Sequence, residues 1–428
     1  TKVLTISGSG QISSYDDPRN RPWFSFINDI TRIIINDGIE SIGANNFYLF
    51  SALETVELPD SLTNIDKNAF QECRQLREIT IPSSVTTIGD NAFDGDANLV
   101  SIILPASIKT LGEFVFNFCT SLANVTILSS LKAIPRYCFM QCHNLKTVLL
   151  PDSIETIKTG AFEYCFSLET INLPSNLVTI EDSAFHRCQS LHTIDLPNSV
   201  ETAGNYSFSY CTSVESLTIS TKLTKLSRGI FEFINITSLS LPSTVSSISE
   251  YSFRGCSQLE RTEIQSIQNI GEYAFENCYS LSSVALSGIL NSIPVGLFAN
   301  NRNLKTITIT TSNLKSIESY SFIGCSSLTQ IQIPSSVTVI GKEVFSGCTS
   351  LESVSVPNGL QAIGDQTFKQ CESLKSIIIP SSVTVLGSQL FDQCTNLESV
   401  SILASIKTLG SNTFEKSLKL KQVHYLIQ

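Results

Sequence analysis

From Ile30 onward, apolar and polar positions follow one order, L-x-x-I-x-[IL]-P-x-S-[VL]-x-x-I-G-x-x-A-F-x-x-C. In the unit Cys73–Phe93, Leu76, Ile79 and Ile81 are the apolar positions of a short strand, with Arg77, Glu78 and Thr80 left to face outward. Pro82 ends that strand, because proline cannot donate to a continuing ladder. Ser83 and Ser84 make a corner, and Val85 and Ile88 form a second apolar pair. Gly89 is expected to allow a tight turn, and Ala92–Phe93 to sit in a helical or 3-10 turn that drops the ring inward. The anchor phenylalanines fall 23 residues apart from Phe47 to Phe231, then 22, 22, 23 and 24 apart through Phe322, and 23 apart again to Phe414. A fixed period of this length predicts a solenoid, in which each unit buries one edge and stacks on its neighbours.

The strand starts from Ile30 and Leu53 to Leu420 predict about 18 strands; at roughly 4.8 Å each, they make a long arc on the order of 80 Å. The repeat domain then runs over 30–428 in about 17 units. Residues 1–29 depart from the pattern and predict an N-terminal cap: KVLTISGSGQIS reads as a strand, a turn and a second short strand. Trp23, Phe24 and Phe26 are the candidate lid over the apolar end rung. Between Phe231 and Phe322 the pattern loosens. Ile234 and Asn301 replace the cysteine, Thr262–Gly271 lacks the Pro-Ser-Ser corner, and one extra residue precedes Phe322. That region is either tolerated drift in the corners or a local change of curvature or a hinge. The sequence reaches Gln428 just after a strand, so further chain or a covering contact is expected there, and the start at Thr1 fits a longer or processed parent.

A length of 428 residues ordinarily suggests two or three domains, but a solenoid has no single core to outgrow. With 42% hydrophobic and 15% charged residues, the chain is folded with a Ser/Thr-rich surface. A net charge of −10 and scattered Lys and Arg argue against a nucleic-acid partner. No apolar run is long enough to predict a membrane span.

Cys73, Cys119, Cys142, Cys165, Cys188, Cys211, Cys256, Cys278, Cys325, Cys348, Cys371 and Cys394 share one repeat position, and only Cys138 lies elsewhere. A straight row of inward side chains is poor geometry for disulfides and cannot surround a tetrahedral ion, so these cysteines read as buried scaffold. Asp96, Asn301 and Ser417 at the same position fit a role in bonding backbone. His143, His186, His192 and His424 form no set with a nucleophile, and no phosphate loop or metal-spaced motif is present, so neither catalysis nor a cofactor is expected. On the strands, the outward positions are mostly Ser, Thr, Glu or Lys. Three neighbouring strands differ, bringing Val100 and Ile103, then Ala123, Asn124 and Thr126, then Lys146, Thr147 and Leu149. Of these, Val100, Ile103, Thr126, Lys146 and Leu149 are the candidate partner-binding residues. Ile378 is a lone apolar outlier, and Glu54, Glu57 and Glu78 group beside Arg77. Asn124, Asn205 and Asn235 begin N-glycosylation sequons, and a glycan on Asn124 would cover the apolar group.

Whole units such as CSSLTQIQIPSSVTVIGKEVF (Cys325–Phe345) and CESLKSIIIPSSVTVLGSQLF (Cys371–Phe391), with the lead-in LTISGSG…RPWFSFINDITRIIINDGIESIG, resemble BspA-like, or treponemal-type, leucine-rich repeats. The wording of the repeats is most similar to trichomonad members. The resemblance covers about Ile30 to Ile427 and implies a leucine-rich repeat solenoid with a parallel sheet on its concave face. It also implies an extracellular, cell-surface protein that adheres to host cells or matrix. The expected partner is thus a host-surface or extracellular-matrix protein, a glycan, or a second copy of the chain. An interaction scaffold without an adhesive role, inside the cell or secreted, is the alternative, and the free cysteines favour it.

Overall fold

With one exception, the repeats place two short strands parallel to those of the turns beside them, because the fixed step brings like residues opposite one another. The computed structural model describes residues 2–425 except Ser312 and Ala404; the expectation for Gln428 thus lies outside the described residues. The chain forms two compact units, Thr1–Lys222 and Leu223–Gln428. In the first, Ser101–Leu104, Asn124–Ile127, Thr147–Leu149 and Thr170–Ile171 form a parallel sheet, with Val125 opposite both Ile102 and Val148. The second apolar pair forms a ladder of its own, for example Ala133–Ile134, Thr156–Ile157, Thr179–Ile180 and Thr202–Ala203. The second unit repeats the plan, with Ser376–Ile379, Ser399–Ile402 and Gln422–Tyr425 among its longer strands. The strand expected after Leu76 makes only an isolated bridge, Thr55 to Glu78.

At several corners, the serine two residues after the proline ties neighbouring turns together. Ser84 Oγ donates to the Leu62 carbonyl at 2.6 Å, and Ser107 and Ser153 donate to Val85 and Leu131 at 2.6 and 2.7 Å. The core is the stack of anchor rings. Phe70, Phe93 and Phe116 lie 5.5 Å apart and within 2° of parallel, and Phe322, Phe345 and Phe368 stack at 5.6 and 5.8 Å. All six are fully buried.

The turn around each ring is not helical. Among the described residues, 3-10 helix occurs only at Pro18–Asn20 and Phe24–Phe26, before the repeats begin. In each repeat the residue two before the ring and the residue two after it take a left-handed conformation, as Asn68 (φ 54°) and Glu72 (φ 64°) do around Phe70. This alternation turns the amide N–H of both residues, and of the phenylalanine between them, toward the next turn. Asn68, Phe70 and Glu72 donate to the carbonyls of Asp90, Ala92 and Asp94 at 2.7–2.9 Å, whereas a helix would keep those bonds within its own turn. Gly89 serves a different purpose from the one expected. Its φ is not left-handed, but a Cβ there would lie 2.5 Å from the backbone nitrogen of Lys67 in the preceding turn. It is small because two backbones meet.

The first residues add a turn to the first unit rather than a separate layer. Lys2–Ile6 and Gly10–Ile12 pair in parallel with Ile30–Ile35 and Ile39–Ile42. Trp23 stacks on Phe47 at 5.8 Å, extending the ring column, while Phe24 is half-buried and Phe26 exposed. Buried Arg21 closes the carbonyl end of the turn: Nη1 donates to the carbonyls of Asn45, Asn46 and Tyr48 at 2.8–3.0 Å and Nε donates to Pro18 at 2.6 Å.

In the second unit, the loosened region without a proline corner runs on as the seven-residue strand Arg261–Ile267. It bulges between Ile264 and Ile267, where Ser266 takes φ 59°. A cleft of about 390 Å³ opens between this strand and Ser238–Ser243.

Candidate binding surface on the strand face

Outward side chains on the longer strands fall into rows because residues 23 apart lie opposite each other. Thr126 is registered with Ile103 on one side and Leu149 on the other, so these three form one row. Ile103 and Leu149 are each 58% exposed, while Thr126 between them is half-buried. Val100, 50% exposed, belongs to a different row with Ala123 and Lys146: Ala123 N donates to the Val100 carbonyl and Lys146 N to that of Ala123, at 2.8 and 2.9 Å. The sequence-derived candidates therefore form two parallel rows on three strands rather than one cluster. Leu128, 55% exposed, adjoins them and escapes the repeat reading. It stands where the neighbouring units have Pro105 and Pro151, and the outward alternation Asn124, Thr126, Leu128 is the signal that locates it. Ile378, 60% exposed, sits alone opposite Ser401.

Asn124 is exposed on the central strand, and its Oδ1 accepts from Thr147 Oγ1 at 2.9 Å. Asn205 is exposed, with its amide N donating to Asp182 at 2.7 Å, and Asn235 is half-buried.

All thirteen cysteines are buried free thiols. The twelve in the row donate to the carbonyl of the phenylalanine one turn back, with S···O distances of 3.0–3.4 Å. Burial pushes their pKa values upward, to about 12 for Cys211, Cys256, Cys325 and Cys394. A protonated thiol that donates inward is a poor nucleophile. Asn301 Nδ2 and Ser417 Oγ make the same bond to Phe275 and Phe391, both at 2.8 Å. Asp96 bonds backbone in the reverse sense: its Oδ1 accepts from the Cys73 amide at 2.8 Å, and its buried Oδ2 has no partner.

His186 Nδ1 lies 2.6 Å from Ser209 Oγ, and burial, with Arg187 beside it, lowers its pKa to about 4. Cys188, in the same turn, directs its sulfur to the Phe162 carbonyl instead. His143 stacks on Phe166 at 4.9 Å, while His192 Nδ1 is 3.5 Å from the Glu169 carbonyl and His424 Nε2 is 3.1 Å from Gln422 Oε1. Among the described residues, no three His, Cys, Asp or Glu side chains are grouped to hold a metal ion, and no helix is long and apolar enough to cross a membrane.

A search of curated proteins finds no match to this chain. Among solved structures, a leucine-rich repeat protein from Bacteroides ovatus is similar at 26% identity and a TM-score of 0.56, over 89% of this chain and 87% of that one. A leucine-rich cell surface protein from Faecalibacterium prausnitzii matches at 19% identity and a TM-score of 0.38, over 100% and 88% of the two chains. The Treponema pallidum leucine-rich repeat protein matches at 26% identity and a TM-score of 0.35, over 39% of this chain and 77% of its own. The model of the BspA type leucine-rich repeat region matches residues 20–146, 132–260, 224–338 and 315–427. With matches spanning nearly its whole length and one solenoid plan in both units, this chain belongs to the BspA-type leucine-rich repeat family.

Proposed function

We propose that this protein is a non-enzymatic recognition protein of the cell surface, whose strand face binds a host-cell or extracellular-matrix macromolecule in adhesion. The observation that carries this reading is the exposure of Val100, Ile103 and Leu149 on a face made mostly of Ser, Thr, Glu and Lys. Large apolar side chains kept in water on alternate strands of one sheet favour a contact surface. The ladder to the central strand Asn124–Ile127 holds Ile103 and Leu149 in place, so little ordering entropy is lost when a partner docks. The buried thiols of the row support a non-enzymatic role, since those twelve are engaged with backbone carbonyls.

Replacing Val100, Ile103 and Leu149 together with Ser should leave the circular dichroism spectrum and melting unchanged. It should weaken binding to host cells or to a panel of matrix proteins roughly tenfold or more. Unchanged binding removes this surface from consideration.

The row of free thiols favours a second reading, an interaction scaffold that works in a reducing compartment. Mass spectrometry of the native protein separates the two. Glycans on Asn124, Asn205 or Asn235 place the chain in the secretory route, and a glycan on Asn124 would in addition screen the Ile103–Leu149 row.

A further inference from the structure

Along the row that holds Ile103, Thr126 and Leu149, the constant 23-residue step places Glu57 and Thr80 on the two turns before, and Asn172 and Asp195 on the two turns after. Backbone bonds carry the step outward from the central sheet. Val100 N donates to the Arg77 carbonyl, Glu169 N to Lys146, and His192 N to Glu169, at 3.1, 3.3 and 3.3 Å. Glu57, Ile103, Leu149 and Asp195 are all exposed and recur every second strand. With strands about 4.8 Å apart, that is a charge, two apolar side chains and a charge at intervals of about 9.6 Å.

This interval selects the backbone of a partner laid across the strands. A polyproline II helix shows the same face every three residues, about 9.3 Å, and stays in step to within about 1 Å over the three intervals. An α-helix returns to one face after seven residues, about 10.5 Å, and drifts by roughly 3 Å. A β-strand returns every two residues, about 6.7 Å, and misses.

The two charged flanks differ. Beyond Leu149, Glu169, Asp195 and Glu215 face outward, with His192 between Glu169 and Glu215 and a single cation, Lys146, next to Glu169 in that same row. Before Ile103, Arg32 is bonded to Glu57, and Arg77 stands beside Glu54 and Glu78. The flank at Asp195 therefore carries more uncompensated charge and attracts a cation more strongly. Lys146 lies three residues before Leu149, about 10 Å along its strand, off the row.

We infer that the strand face of the first unit binds a polyproline II segment of a partner protein with the pattern apolar-x-x-apolar-x-x-basic, its apolar side chains seated at Ile103 and Leu149 and its cation at Asp195. This inference rests on the proposed surface and names the chemistry that fits it. A segment already extended loses little chain entropy on docking, which suits a shallow face.

The test uses the full chain and four labelled peptides, read by fluorescence anisotropy. One is a proline-framed peptide with leucine, leucine and lysine at every third position. In the others, lysine becomes glutamate, the three residues fall at every fourth position, or they fall seven apart in an alanine helix. The first should bind, with affinity falling as salt rises, and each of the others should bind about tenfold more weakly. Asp195→Lys should reverse the preference between the lysine and glutamate peptides, and Glu57→Lys should change it less. Ile103→Ser with Leu149→Ser should abolish binding, with melting curves confirming that every variant is folded. Failure of the first peptide to bind up to about 1 mM, equal binding of the respaced or helical peptide, or an unchanged preference in Asp195→Lys would overturn the inference. If the triple serine variant still loses cell or matrix binding in that case, the surface reading stands and the polyproline assignment alone falls. If that variant keeps such binding while the first peptide docks as described, the surface reading falls instead.

Discussion

Among the polar residues of the cysteine row, one, Asp96, breaks its rule. Every cysteine in the row, and Asn301 and Ser417, gives a proton to a phenylalanine carbonyl one turn back; an ionised Asp96 cannot give one to Phe70. Desolvation, aided by Asp94 and Glu72, raises the Asp96 pKa well above the ordinary carboxylate range. A carboxyl whose folded pKa is raised binds its proton more tightly in the native state. Its ionisation therefore costs stability increasingly as pH climbs above about 4 toward the folded pKa. Asp96→Cys should stabilise the protein at pH 7 by about 1–3 kcal/mol in urea unfolding, with the difference shrinking toward pH 4. Because the lowered His186 pKa acts in the opposite direction as pH falls through its ordinary value, the test lies in the difference between variant and parent, not in the parent's curve. The structural role of the row was legible in the sequence, since a straight line of like residues must stack. The sense of each hydrogen bond was not, because a one-letter pattern does not say whether an oxygen gives or takes.

The turn is the element where pattern and structure part most. Its left-handed positions hold Gly and Asn in some repeats, but Tyr, Gln, Glu, Phe and Arg in others, so the usual signature is diluted. Neighbouring turns account for several of the glycines. The Tyr273 ring leans over Gly296, so that a Cβ there would fall 2.1 Å from the ring, and Gly296 itself has φ 62°. Gly296→Ala should cost about 1–3 kcal/mol, and adding Tyr273→Ala should return the part due to the clash while leaving the part due to backbone strain; urea melts of the single and double variants separate the two. Arg21 closes the first of these turns with four donated bonds to carbonyls, and burial lowers its pKa to about 10. Arg21→Ala should strip hydrogen-exchange protection from Lys2 to Phe50 and leave the second unit unchanged; protection intact throughout would mean the guanidinium does not hold this end.

On the scale of the molecule, the period fixes the solenoid, the inward rings and the rows of outward side chains before any coordinate is known. Which outward residues share a row follows from the step alone, although Leu128 hides where a corner proline was expected. Contacts in a stacked fold are between nearest turns, so damage should stay local. Phe345→Ala empties a fully buried position between Phe322 and Phe368 and should destabilise by about 3–5 kcal/mol. By hydrogen exchange, the loss should appear in the turns around it and spare those of the first unit. A change within error would mean the ring contributes nothing to the core.

The one-way bonding of the ring turns gives assembly a direction. From Phe47 to Phe185 each ring turn holds out three amide protons to the following turn, while the matching carbonyls are met by the turn before or, at the first, by Tyr15 and Arg21. A chain made on the ribosome releases its capped turn first, and every later turn then arrives at a waiting row of donors. Synthesis and stacking thus run the same way, and the growing molecule serves as the template for its next turn.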